Sequence, residues 1–156
     1  MAQQEHNRAA AMRDEDVLER ELRIAARPET VFAFFVDPAR MLRWMGKDVT
    51  IDPRPGGIFY NNIDGQYIAR GEYVEVVPHT RVVFTWGWEG EGSDTPPGAS
   101  TVEVTLAADG DGTILRLRHL GLSAAERASH GQGWDHFLPR LAAVAEGREP
   151  VDAKVM

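Results

Sequence analysis

The sequence has no cysteine, no long apolar run and a deficit of positive charge, and each shortage closes off a class of function. Without cysteine there is no disulfide, no thiolate nucleophile and no Cys-based zinc site. That composition fits a reducing, cytoplasmic compartment. No apolar stretch approaches the ~20 residues that cross a bilayer, so no membrane span is expected. The opening "MAQQEHNRAAAMRDEDVLER" lacks the apolar h-region of a signal peptide. With 17 Lys and Arg against 24 Asp and Glu, the net charge of −7 argues against nucleic acid as a partner. Catalytic signatures are missing as well: no G-x-S-x-G elbow, no P-loop and no H-E-x-x-H. The G-x-G at Gly131–Gly133 lacks the strand and third glycine of a dinucleotide fingerprint. His130 and His136 point to different sides of a helix. No catalytic residue, metal or cofactor is therefore assigned.

What is present describes one domain. A chain of 156 residues, 43% hydrophobic, buries roughly 70% of its unfolded surface without needing staples. Residues 1–15 are polar, without a sustained apolar face, and read as a flexible extension; the segment 148–156 reads as a flexible tail. Between them, "VLERELRI" places Leu18, Leu22 and Ile24 on one parity and predicts a first strand. Pro28 suits the first turn of a helix, and Pro38 ends it. A second short helix is expected from Ala39 to about Met45, before Gly46.

The middle of the chain is strand-like. "DVTIDP", "GIFYNNI", "QYIARGEYVEVV" (66–77) and "RVVFTWGW" follow one another, separated by turn residues. In the 66–77 segment both faces are equally mixed, so the sequence leaves open whether Arg70 and Glu72 or Tyr67 and Tyr73 look inward. "TVEVTL" and "ILRLRHL" alternate cleanly around the hairpin signal "ADGDGT". Such alternation means an antiparallel sheet with one wet and one dry face. On the dry face His119 shares parity with Leu115 and Leu117. The last element is a helix opened by an S-x-x-E capping box, Ser123 to Glu126. Trp134, Phe137, Leu141 and Val144 form its apolar stripe, and His130 lies on the same side. Gly131, Gly133 and Pro139 predict a bend. One dry sheet face and one dry helix stripe are satisfied together if a curved sheet wraps around the helix.

This α+β order, β-α-α-β6-α over residues 16–147, resembles the helix-grip fold of the START and birch-pollen-allergen (SRPBCC) superfamily. The wording of "ARPETVFAFFVDPARMLRWM", "DPRPGGIFYNN", "GEYVEVVPHTRVVFTW", "STVEVTLAADGDGTILRLRHLGL" and "GQGWDHFLPRL" is similar to the branch related to the C-terminal domain of the activator of heat-shock-protein-90 ATPase. The resemblance implies a cavity between sheet and terminal helix that holds lipids, polyketides or other apolar molecules. In some relatives it implies polyketide cyclisation, and in the cochaperone branch a surface that stimulates a chaperone.

In "VVFTWGW", Phe84, Trp86 and Trp88 alternate and so share one strand face. They border a cavity or simply form core. A dry apolar void of ~300 Å³ would cost on the order of 7 kcal/mol, against a total stability of ~5–15 kcal/mol. The space is therefore plugged, wet or occupied. The expected ligand is a small, mostly apolar molecule. Its expected wall is Trp44, Phe59, Phe84, Trp86 and Trp88, then Val102, Val104 and Leu117 of the sheet. Trp134, Phe137 and Leu141 close it from the helix, with His119 and His130 as polar anchors. The second short helix and the loop Glu89–Ser100 are the expected gate. A cyclase- or dehydrase-like enzyme using a histidine as acid or base, and a cochaperone-like interaction module, remain the alternatives. Free strand edges also permit a homodimer.

Overall fold

The computed structural model describes residues 16–150. The expected N-terminal extension, 1–15, and residues 151–156 of the expected tail lie outside the described residues. Strand β1 (Leu18–Ile24) is followed by α1 (Pro28–Val36) and the short α2 (Pro38–Met41). Then come β2 (Asp48–Ile51), β3 (Ile58–Asn62), β4 (Ile68–Val77), β5 (Arg81–Trp86), β6 (Ser100–Asp109) and β7 (Gly112–Leu120). The helix α3 (Ala124–Ala145) ends the fold. The predicted order is the observed one. No helix among the described residues is long and apolar enough to cross a membrane.

All seven strands form one antiparallel sheet in the order β1-β7-β6-β5-β4-β3-β2. Alternation sets its faces. Val82, Phe84 and Trp86 of β5, Val102, Val104 and Leu106 of β6, and Leu115, Leu117 and His119 of β7 are all buried. The outer face is ionic. Glu75, Arg81, Glu103, Arg118, Glu19, Arg116 and Glu21 form a chain of ion pairs 2.8–3.9 Å long, running from β4 across to β1. Exposed pairs of this kind contribute ~0–1 kcal/mol each; their main effect is to keep that face wet.

Strand β4 explains its own ambiguity. Its register with β5 shifts between Tyr73 and Glu75, so Val74 is a bulge and the inward parity changes there. Ahead of the bulge Ala69 and Tyr73 are buried while Arg70 and Glu72 are exposed; beyond it Val76 packs against the core. Arg70 pairs outside with Glu89 at 2.7 Å, and Tyr67 is exposed. The strand begins at Ile68 rather than Gln66, because Asp64 caps the preceding turn by accepting from the amides of Gln66 and Tyr67.

Two helical expectations need correction. The second short helix ends at Met41, and residues 42–45 continue as turns that bury Trp44 and Met45. The capping box at α3 is half made. Ser123 Oγ accepts from the Glu126 amide at 3.2 Å, but the Glu126 carboxylate accepts from Thr95 Oγ1 at 3.1 Å. That bond ties the loop between β5 and β6 to the start of α3. The helix continues through Pro139.

The core sits between the sheet's inner face, α1 and α3. Tyr73 closes one side of it: its hydroxyl donates to the Phe35 carbonyl at 2.8 Å, and burial pushes its pKa up. Tyr73→Phe deletes this buried bond and should lower unfolding free energy in urea by about 1–3 kcal/mol. An unchanged value would show that the Phe35 carbonyl is equally well served without the hydroxyl.

Candidate functional site

Four side chains cross-link α3 to the sheet. His130 and Trp134 stand one helical turn apart on the inner face of α3. Opposite them, His119 lies on β7, and Trp88 follows β5, bridged to Ala69 of β4. Trp134 Nε1 donates to His119 Nδ1 at 3.1 Å, and Trp88 Nε1 donates to His130 Nε2 at 3.1 Å. Each layer thus contributes one indole donor and one imidazole acceptor. The two imidazole centroids are 5.0 Å apart.

An indole N–H can only donate, so the bonds assign both tautomers. His119 accepts at Nδ1, and its Nε2–H therefore donates to Ser100 Oγ, 2.8 Å away. Ser100 Oγ in turn donates to the Trp86 carbonyl at 2.7 Å. His130 accepts at Nε2, and its Nδ1–H donates to the Glu126 carbonyl at 2.9 Å. Both rings are neutral with both nitrogens engaged. Burial, and secondarily the neighbouring His130, pushes the His119 pKa down to about 3. A base that weak, with no free nitrogen, is ill suited to proton transfer near neutral pH.

The interior is mostly solid. Phe59 stacks on Phe84 at 4.2 Å, and Trp86 lies 5.3 Å from Trp88 and 5.6 Å from Trp134. What remains is a cavity of about 70 Å³ lined by Met45, Ile63, Trp86, Trp88, His130, Ser129, Gly133, Trp134 and Phe137. It shares Ile63, Ser129, Gly133 and Phe137 with a groove of about 790 Å³ that adds Trp44, Gly46, Asp64, Gln132, His136 and Arg140. The shared residues place the cavity beside that groove.

Of the residues expected to form a ligand wall, Trp86, Trp88, His130, Trp134 and Phe137 border the cavity, and Trp44 and Phe137 border the groove. Phe59, Phe84, Val102, Val104, Leu117, His119 and Leu141 border neither. They are at most 1% exposed and fill the core, because the aromatic rows of sheet and helix interdigitate there. Met45, Ile63, Ser129 and Gly133 were not anticipated. Gly133 carried a signal, having been read as a bend; a Cβ built there meets nothing within 4 Å. The missing side chain makes room. Only the loop half of the expected gate is revised, since Trp44 and Met45, from the segment read as the second short helix, line the groove and the cavity. The loop before β6 is held by Thr95, 2% exposed, whose carbonyl accepts from the Trp88 amide at 2.7 Å. The groove is lined by residues of the 44–46 and 63–64 turns and of α3. No cluster of three metal-ligating side chains occurs among the described residues.

The family described as Activator of Hsp90 ATPase homolog 1-like protein matches residues 25–146. The chain belongs to that family. An AHSA1-like protein from Rhizobium etli is 47% identical over 86% of this chain and 84% of its own, with a TM-score of 0.68. CalU16 from Micromonospora echinospora is 29% identical over 83% of this chain and 75% of its own, with a TM-score of 0.67. The Aha1 dimer from Colwellia psychrerythraea, 17% identical over 83% of this chain and 96% of its own, shares the fold at a TM-score of 0.71. None of the curated proteins matches the chain. Within this Hsp90-activator-like family, the helix grip is the common frame on which the cross-linked site described above is built.

The neutral His119 couples stability to pH. Its folded pKa of about 3 lies below the ~6.5 of an unfolded histidine, so below pH ~6.5 the unfolded chain binds the extra proton. Its contribution to stability is complete above that pH and declines by about 1.4 kcal/mol per pH unit as pH falls toward 3. His119→Gln should remove this slope between pH 6.5 and 4.5 in urea unfolding. An identical slope in the variant would mean that His119 does not stay neutral in the fold.

Proposed function

We propose that this Hsp90-activator-like domain binds a small, mostly apolar organic molecule whose apolar end enters the cavity and whose remainder lies along the groove. The supporting observation is an aromatic-lined cavity that shares four lining residues with a groove of about 790 Å³, a volume within the ~300–1,000 Å³ typical of ligand pockets. The composition of the two parts divides the ligand. The inner end is walled by Met45, Ile63, Phe137 and three indoles, while Asp64, Gln132, His136 and Arg140 line the outer part. An amphipathic molecule fits this sequence of surfaces better than a wholly apolar one. His119 and His130 act in this reading as braces for the indole walls, since their nitrogens are spent on protein partners.

Catalysis by a histidine finds no support in two rings with no free nitrogen. The chaperone-stimulating alternative needs an exposed apolar patch, whereas the outer sheet face carries the ion-pair chain.

Gly133 provides the test. Its open surroundings mean that Gly133→Leu fills the space where cavity and groove meet, and a leucine within a helix is favoured over glycine by about 0.5–1 kcal/mol. The variant should be as stable as the parent or more so. It should lose at least about tenfold in affinity for the neutral fluorophore N-phenyl-1-naphthylamine, measured by fluorescence titration. Undiminished binding by a folded Gly133→Leu variant would rule this site out.

A further inference from the structure

Half-buried arginines in this fold are answered by carboxylates, with one exception. Among the described residues Arg20, Arg81, Arg118 and Arg127 are half-buried, and each has a carboxylate oxygen within 4.0 Å. Arg140 is equally half-buried and has no carboxylate that close. Its one hydrogen bond among the described residues runs from Nε to the Trp44 carbonyl at 3.3 Å, which leaves both Nη groups without a protein acceptor there. That bond also fixes where the charge sits. Trp44 and Arg140 both line the groove, so the side chain reaches from α3 to the 44–46 turn and its head stands between two of the groove's walls. A partly desolvated cation without a counter-charge is unfavourable, and the planar fork left free matches two carboxylate oxygens.

The surroundings define the rest of the ligand. Gln132 and His136 precede Arg140 at four-residue intervals, so the three share one side of α3, and all three line the groove. Gly133 and Phe137 form the adjacent row and line it together with Ile63. A polar row thus ends at a cation while an apolar row runs beside it. From Gly133 to Arg140 the helix rises about 10 Å, close to the extended length of a chain of about eight carbons. Asp64 is the acidic side chain on the groove, and its Oδ1 already accepts from the Gln66 and Tyr67 amides. Those amides, and more weakly Lys47, hold its carboxyl below the usual range. With Asp64 ionised on the same groove, Arg140 can match one negative charge, and a second would meet repulsion.

We infer that the groove is selective for monocarboxylic acids with an apolar tail of about eight carbons, and that the Arg140 guanidinium receives the carboxylate. This rests on the ligand-binding reading of the same groove and adds to it the chemical class of the ligand's polar end.

Octanoate and octan-1-ol separate the two claims. They share a tail length, and transfer from water alone favours the alcohol. The measurement is an NMR titration of the ¹⁵N-labelled full chain at pH 7, following the Arg140 Nε–H and the backbone amides of α3. Octanoate should bind about tenfold more tightly than octanol, move the Arg140 Nε–H signal, and lose affinity as NaCl is raised, while octanol binding stays insensitive to salt. Arg140→Gln should abolish the preference for the acid, and the comparison in the parent protein stands even if that variant does not fold. Octanol binding as tight as octanoate, with shifts at Gly133 and Phe137 but none at Arg140, would overturn the role of Arg140 and leave the binding site standing. Tighter binding of octylamine would overturn the preference for an anion, and tighter binding of octyl phosphate would overturn the limit to one charge. No response of any α3 amide to octanoate or octanol would overturn the site itself.

Discussion

The crossed pair of indole-to-imidazole hydrogen bonds is the constraint on which the arrangement of sheet and helix depends. Apolar packing would tolerate small slides of α3 along the sheet, because dispersion contacts are individually weak and undirected. Two bonds of 3.1 Å, made in opposite senses by residues one turn apart on the helix, tolerate much less. The bonds also dictate proton positions: a protonated imidazole has no lone pair for an indole N–H, so docking of the helix and neutrality of both histidines are one condition. Ser100 and the Glu126 carbonyl complete the pattern by accepting the remaining N–H of each ring.

The same pattern divides the interior. Rings that alternate along β5 and stack against α3 leave far less than the ~300 Å³ void that stability could hardly tolerate. The core is solid beneath Phe59, Phe84 and Leu117, and the small cavity lies where Gly133 lines the same space as Trp86 and Trp88. A helix-grip frame and a capacious chamber are therefore separable properties. In this chain the frame is complete, the interior is mostly filled, and the larger space lies on the flank of α3.

Much of this was legible from residue order. Strict alternation in 101–106 and 114–120 put Val102, Val104, Leu117 and His119 indoors, and helical spacing placed His130 beside Trp134. The convergence of the two histidines followed from those periods alone. What periodicity could not reveal was who bonds to whom. His119 and His130 were expected to meet a ligand, and the indoles opposite took both. Strand β4 was illegible for a definite reason: the bulge at Val74 reverses parity midway, so a single period fits neither half's neighbour. Glu126 misled in a similar way. The capping-box spacing is genuine, but a threonine thirty-one positions earlier competes for the carboxylate, and such a long-range competitor leaves no local trace. The cavity's lining was missed at Met45, Ile63, Ser129 and Gly133, which come from turns and from α3 rather than from the alternating strands.

The bond from Thr95 to Glu126 has a kinetic implication. With the span between β5 and β6 anchored to the first turn of the long helix, that span is not a hinged cover that must swing before a visitor arrives. Under the ligand-binding proposal, the way in is a standing doorway beside the 44–46 and 63–64 turns and the middle of the helix. Residence of a bound molecule would then be governed by how firmly its inner end is held, and not by the tempo of a closing flap.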